Sequence, residues 1–451
     1  MAENRTFGGR FAARSRTPLR AAAIALSLLF ATTSSGAMAQ SASAEQIADL
    51  QRQLDALKAE QAQTAARIAQ VENTLGRITG VPVAPPPATP VSGAPISGAA
   101  AAPAPVALAA RPASKLQLSG DVRVRYESNF GDADARNRDR GVVRARLRAN
   151  YAVSDHIMAG AQLSTGDDDD PNTADVTLSN WDDDLRVSLD QIYLRGTWGN
   201  LVVHAGKIPQ PFRRTDLVWD GDVSPQGLSA AYKQPLPGGA SIKATGLYFQ
   251  IDEASRAKDS SMVGGQIEFA TAPGVFHAEL AAGYYDYRVN SITGADAGDF
   301  RSNLLTPAGR YLSDFDMLDI VGSATFAGLG ERWPVQLIGN YVHNYGAAVD
   351  ADTGYGADLF VGRASKPHDL RFGYGYSRTE VDAVLAAFSH DNIDIATNYL
   401  LHSLSVDYVP RANTLLNLTL YHYRPLDPLY AGTNQPRDWL NRVRLNFSVN
   451  F

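Results

Sequence analysis

Arginines recur at every second position in three short segments of this chain. Arg123 and Arg125 lie in one, Arg144, Arg146 and Arg148 in a second, and Arg442 and Arg444 in the last. In an extended strand a period of two places alternate side chains on one face, so each segment presents a row of guanidinium groups. A guanidinium stays protonated and has no acceptor, so its chemistry is to attract, bind and orient anions or to pair with acids. Arg195, Lys243 and Arg371 carry the same phase in other segments. Asp121, Asp190, Glu268, Glu279, Asp319 and Asp407 share that face and partly offset the positive charge. A charged wall that guides ions and a set of ion pairs that satisfies a crowded interior are both compatible with this pattern.

Other chemistry finds little in the chain. G-x-S-x-G, H-E-x-x-H and phosphate-cradling Gly-rich loops are absent, and eight histidines are scattered without metal-ligand spacing. No catalytic residue, metal site or cofactor is expected, although some barrel enzymes would escape such a search. The acidic stretch 165–186 holds Asp167 to Asp170, Asp175 and Asp182 to Asp184, but lacks the order and central glycine of an EF-hand loop. It is expected to be a solvated loop. Arginines that alternate within strands of a chain with net charge −6 do not form a nucleic-acid footprint.

The rows of charge require strands to carry them. From Lys115 onward the sequence breaks into short alternating segments separated by Gly, Pro, Asn and Asp. The first sets Leu116, Leu118, Gly120, Val122, Val124 and Tyr126 against Gln117, Ser119, Asp121, Arg123 and Arg125. The second sets Val143, Ala145, Leu147, Ala149 and Tyr151 against Arg144, Arg146, Arg148 and Asn150. Further strands are expected near 157–164, 187–198, 201–207, 227–234, 240–250, 262–271, 275–287, 317–327, 334–345, 356–364, 369–379, 397–408, 414–423 and 439–451, sixteen in all. Connections after even strands are short, as at 154–156 and 199–200. Those after odd strands are mostly long and polar, as at 165–186, 208–226, 288–316 and 424–438. That asymmetry belongs to transmembrane barrels, and a soluble sandwich gives no reason for it.

The phase of the arginines decides which face is outside. An Arg at a lipid midplane costs about 2–4 kcal/mol, so the guanidinium face of a spanning strand must line the lumen. Sixteen strands enclose a lumen too wide for side chains alone to fill, so water is expected there. Tyr126, Tyr151, Trp198, Tyr248, Tyr284, Tyr341, Tyr374, Tyr408 and Trp439 stand at or near strand ends, as rings at a headgroup level do. The expected fold is all-β, a sixteen-stranded antiparallel transmembrane barrel over 115–451. Its last strand must pair with its first, which brings Arg442, Arg444, Arg123, Arg125, Arg144, Arg146 and Arg148 onto one wall.

Three segments precede the barrel. Residues 1–39 read as a signal peptide, with Arg10, Arg14, Arg16 and Arg20 before the apolar run 21–31 and Ala37-Met38-Ala39 as the cleavage site. Residues 40–80 carry a heptad seam, Ile47, Leu50, Leu54, Leu57, Ile68, Val71, Leu75 and Ile78, read as a coiled-coil helix about 50 Å long at ~1.5 Å per residue. Residues 81–114 form a Pro/Ala-rich linker. The absence of cysteine suits an oxidising compartment and excludes a lipid anchor on that residue. Strict alternation in Val443 to Phe451, ending on an aromatic residue, is similar to the insertion signal of outer-membrane barrels. The expected location is the bacterial outer membrane, with the coiled coil in the periplasm.

The chain also resembles the putative-porin family of Gram-negative bacteria, relatives of the phosphate-selective porins. The resemblance is carried by Leu118-Ser119-Gly120-Asp121-Val122-Arg123-Val124-Arg125-Tyr126-Glu127, by Arg144, Arg146 and Arg148, and by Asp190-Gln191-Ile192-Tyr193-Leu194. Gly206-Lys207-Ile208-Pro209-Gln210-Pro211-Phe212, Val218-Trp219-Asp220 and Gly227-Leu228 continue it. It implies an outer-membrane channel, usually a homotrimer in contact with membrane lipid and lipopolysaccharide, that passes small hydrophilic solutes or ions by passive diffusion. The phosphate-selective relatives concentrate lysines along the pore, and no such cluster occurs here. In general porins the third outer loop folds into the barrel, which assigns that place to 208–226 with Arg213, Arg214, Asp216, Asp220 and Asp222. Its carboxylates are expected to face the arginine wall, and the wall to favour anions. The alternative is a structural or adhesive barrel with a closed lumen that tethers the envelope through its coiled coil.

Overall fold

A computed structural model describes residues 115–131, 137–166, 172–179, 181, 184–255, 258–290, 302–431 and 439–451. The signal peptide, coiled coil and linker expected over 1–114 lie outside the described residues. The described chain is all-β, with no α-helix. One sheet contains seventeen strands, one of which is the two-residue segment Val176–Thr177 lying against the edge of another. The remaining sixteen are β1 (Leu116–Gly131), β2 (Arg138–Ala152), β3 (Ile157–Thr165), β4 (Val187–Trp198), β5 (Leu201–Lys207), β6 (Gln226–Pro235), β7 (Ser241–Asp252) and β8 (Ser260–Ala270). They continue as β9 (Phe276–Arg288), β10 (Phe315–Phe326), β11 (Val335–Asn344), β12 (Thr353–Gly362), β13 (Leu370–Thr379), β14 (Tyr399–Tyr408), β15 (Thr414–Pro425) and β16 (Leu440–Asn450).

Each strand pairs antiparallel with its neighbours in chain order, and β16 returns to β1 with Asp121 opposite Asn450 and Gly131 opposite Leu440. Closure leaves no edge with unpaired backbone groups, the condition for a sheet to stand in lipid. All sixteen strands expected from alternation are present, and the differences are confined to their ends.

The sides of the sheet are inverted relative to a soluble protein. On β1, Leu118 is 63% and Val124 is 53% exposed, whereas Arg125 is 3% and Glu127 0% exposed. The same inversion runs round the barrel, where Ile192, Val263, Ile267, Leu280, Leu337 and Leu404 all face outward. Tyr151, Trp198, Tyr248, Tyr284, Tyr341 and Tyr374 are exposed on this outer face. A continuous apolar belt of this extent is satisfied by acyl chains, not by water.

Short turns gather at one end of the barrel. Between β4 and β5 only Gly199 and Asn200 intervene, with Trp198 paired to Leu201 and Gly199 at φ +56°, a value that glycine adopts without strain. The described residues of the long connections 166–186, 208–225, 289–314, 380–398 and 426–439 lie at the other end.

Two of those connections fold inward and meet. Ile208, Phe212, Val218 and Trp219 from the first pack with Val384, Leu385, Phe388 and Ile395 from the second. Trp219 stacks on Phe388 with ring centroids 5.8 Å apart and meets Tyr285 edge-on at 5.7 Å. The backbone N–H of Asp220 donates to the carbonyl of Phe388 at 2.8 Å, tying the two loops together. Lumenal apolar residues near the loop end of the strands, among them Phe249, Met262, Tyr287, Phe315 and Met317, complete the cluster. Burying each large side chain is worth about 1.5–3 kcal/mol, enough in sum to hold both loops inside. The two loops thus occupy lumenal space at their own end of the barrel.

Candidate functional site

The arginine rows come together on β16, β1 and β2, which are neighbours at the seam. Arg444 lies opposite Glu127, Arg123 opposite Arg144, and Asp121 opposite Arg146. Like charges directly across a ladder repel, so the wall needs carboxylates between its guanidinium groups. Two come from the wall itself. Asp121 accepts from Arg144 at 3.0 Å and from Arg146 at 2.8 Å, and Glu127 accepts from Arg444 at 2.7 Å and Arg140 at 2.8 Å.

The others come from three separate inward connections. Asp175 of 166–186 binds Arg123 and lies 2.6 Å from Arg125. Asp222 of 208–225 holds Arg146 at 2.7 Å and lies 3.6 Å from Arg144. From 380–398, Asp394 pairs with Arg442, while Arg444 donates to the Asp391 carbonyl at 3.0 Å and to the Asn392 side chain at 3.1 Å. The wall is therefore a docking surface for loops, and most of its charge is neutralised on contact. Arg148 at the turn end is different, with 41% of its side chain exposed.

Burial sets the protonation of the loop acids. It would raise the carboxyls of Asp175 and Asp222, but the arginines beside them outweigh it and hold both below the usual carboxylate range. Asp220 has the opposite balance. Burial, then Asp216, Asp391 and Asp222, push its carboxyl well above its ordinary value.

The remaining residues singled out by sequence are dispersed. Arg195 on β4 lies opposite His204, away from the wall. Lys243 pairs with Glu268 at 2.6 Å, and Arg371 pairs with Asp407 at 2.8 Å while lying over the Phe360 ring. Within the 208–225 loop only Asp222 reaches the wall. Asp216 pairs with Arg214 at 3.0 Å and accepts from Asn392 at 3.2 Å. Arg213 crosses to the other side of the lumen, to Glu279 and Ser323.

Asp175, Asp391, Asn392 and Asp394 escape sequence reasoning. For the last three a signal exists: Val384 to Phe388 is too apolar for a solvated loop and marks 380–398 as buried. Asp175 carries no such signal, because nothing in its spacing separates it from the acids around it.

An inside-out sixteen-stranded barrel with its long connections folded onto a charged lumenal wall defines the porin type of fold. Residues 132–303 match the sequence model of the family described as "Putative porin", as the resemblance implied. No curated protein matches the chain in sequence. Among solved structures the chain is similar to OprB of Pseudomonas putida, with 12% identity, 75% of this chain and 94% of that one covered, and a TM-score of 0.51. It is also similar to OmpF of Salmonella typhi in complex with daunomycin, with 11% identity, 75% and 98% covered, and a TM-score of 0.47. A loop L8 deletion mutant of Vibrio cholerae OmpT has 12% identity, 75% and 100% coverage, and a TM-score of 0.44. The likeness to OprB is one of fold.

Proposed function

We propose that the protein is a porin of the bacterial outer membrane, a water-filled channel through which small hydrophilic solutes diffuse passively. The observation that carries this reading is the inversion of the barrel, with an apolar belt outside and charged and polar side chains inside. The match of residues 132–303 to a porin family supports it. The coiled coil expected over 40–80 from its heptad seam is assigned to the periplasm on this reading. A homotrimer is the natural assembly for this reading. An apolar hollow of about 590 Å³ on the outer wall, bordered by Ala230, Ala244, Gly246, Gly265 and Ala282, offers small residues against which a neighbouring barrel could pack.

The anion preference expected from the arginines has lost much of its support, because Asp121, Glu127, Asp175 and Asp222 neutralise the wall. Toward the turn end Arg195 and the half-exposed Arg148, which lies 3.9 Å from Asp121, are the less neutralised arginines. The apolar cluster around Trp219 and Phe388 favours a second reading, a closed structural barrel that tethers the envelope. Single-channel recording in planar bilayers decides between them. Stable ohmic steps are the expected result, and silent insertion of correctly folded protein would establish the tether instead.

A further inference from the structure

The inserted loops press against the β16–β1–β2 wall, and among the described residues the arc β11 to β14 has no comparable network of ion pairs. A cavity of about 70 Å³ lies there between the loops and the strands. Asp216, His390 and Asn392 border it from the loops, and Asp358, Ser377 and Ser403 from the strands. Gly356, Gly375, Ser377 and Ser403 are the small strand residues that border it. A Cβ at Gly375 would collide with the Asp358 carboxylate and the Ser403 hydroxyl, so the glycine makes the space that the carboxylate occupies. Two carboxylates line the cavity, and no lysine or arginine does. Asp216 is shared with Arg214 and Asn392. Asp358 makes no hydrogen bond or ion pair among the described residues, so its carboxyl group is left to meet whatever enters the cavity.

We propose that solutes pass the inserted loops along the β11–β14 arc, and that Asp358 sets the charge preference there, so that the channel favours small cations over anions. The inference rests on the channel reading and names its selecting residue. A guanidinium paired with a carboxylate acts at a distance as a dipole, whose field fades faster than that of an isolated charge. An ionised carboxylate that borders the cavity without a partner has no such dipole cancellation of its field on a passing ion. Arg148 and Arg195 lie nearer the turn end, and with 41% of the Arg148 side chain exposed solvent screens that charge.

The test uses the full protein purified from outer membranes, in planar bilayers across a KCl gradient at pH 9.5, where the Asp358 carboxyl is ionised. The wild type should give a reversal potential of the cation-selective sign. Asp358→Asn should reduce the potassium-to-chloride permeability ratio at least about twofold, and Asp358→Lys should bring it below unity. A second variant does not depend on Asp358. The chain has no cysteine, so Ser377→Cys supplies a single thiol on the proposed path. A cationic methanethiosulfonate should react with it faster than an anionic one and reduce conductance. Conducting channels that are anion-selective, or equal reaction rates at Ser377→Cys, would overturn the assignment while leaving the porin reading intact. Absence of any conductance from folded protein would overturn both.

Discussion

Glu127 on the first strand and Arg444 on the last meet across the seam that closes the barrel, Oε2 and Nε 2.7 Å apart, and solvent reaches almost nothing of either. Arg140 holds the same carboxylate at 2.8 Å, and Arg442 lies 3.6 Å from it. With Arg125 at 3.9 Å, one acid therefore serves four guanidinium groups at the point where the cylinder closes. Removing it leaves Arg444 buried without its principal partner. Glu127→Gln should destabilise the folded barrel by about 3–5 kcal/mol, the usual cost of breaking a buried ion pair from one side. Urea titration in detergent micelles, followed by the mobility difference between folded and heated protein on gels, reads this directly. An unchanged midpoint would show that the seam is held by its backbone ladder alone.

Trp219 is the pivot of the loop cluster, fully buried between Tyr285, Tyr287 and Phe388. Trp219→Ala should cost about 3–5 kcal/mol of stability through the cavity it leaves. Because both inserted loops lean on this ring, they should also sit less deeply in the lumen. Single-channel recording should then show a larger and noisier conductance. Lowered stability with an unaltered conductance would mean that the cluster does not border the solute path.

How much of this was legible in the sequence follows from what sets each feature. Strand positions were readable because a period of two is forced wherever one face meets lipid and the other water, as in Leu118 to Tyr126. The seam was readable too, since an even, closed barrel must return β16 to β1. The pairing of Arg123 with Asp175 was not, because loop trajectories depend on packing between segments far apart in the chain. Asp175 and Arg123 lie 52 positions apart. The inward course of 380–398 was signalled only by the apolar run ending at Phe388, whose partners on 208–225 no periodicity reveals.

Asp220 has a reversed dependence on pH from its neighbours. Burial and nearby acids raise its carboxyl well above its ordinary value, so the folded state prefers it protonated. Stability from this group is fully present below the unfolded value of about 3.9 and is lost as pH rises through the folded one. Asp220→Asn mimics the protonated form and can still accept the Asp222 N–H bond made at 2.8 Å. The variant should therefore be more stable than the wild type at pH 9 and nearly equal to it at pH 4. Urea midpoints at the two pH values test this, and a variant less stable at pH 9 would count against a neutral Asp220.

His390 supplies the acid side of the same loop cluster. Burial lowers its imidazole to about 4, with Asp216, Asp391, Arg444 and Arg442 as the charged groups around it. Its Nδ1 accepts the Asn392 N–H at 3.2 Å and its ring meets Tyr399 edge-on at 4.9 Å, contacts that favour a neutral ring. The stability it contributes is present above the unfolded value of about 6.5 and is lost as pH falls through the folded one, a total of roughly 3 kcal/mol. Asp175 and Asp222 do not share this window, because their carboxyls are held below the usual range. Asp220 opposes it, so the measurement belongs in the Asp220→Asn background. There, the change in stability from pH 6.5 to pH 4 should be more favourable in His390→Gln than in its parent by roughly 3 kcal/mol. Equal changes in the two proteins would mean that His390 does not carry this acid sensitivity.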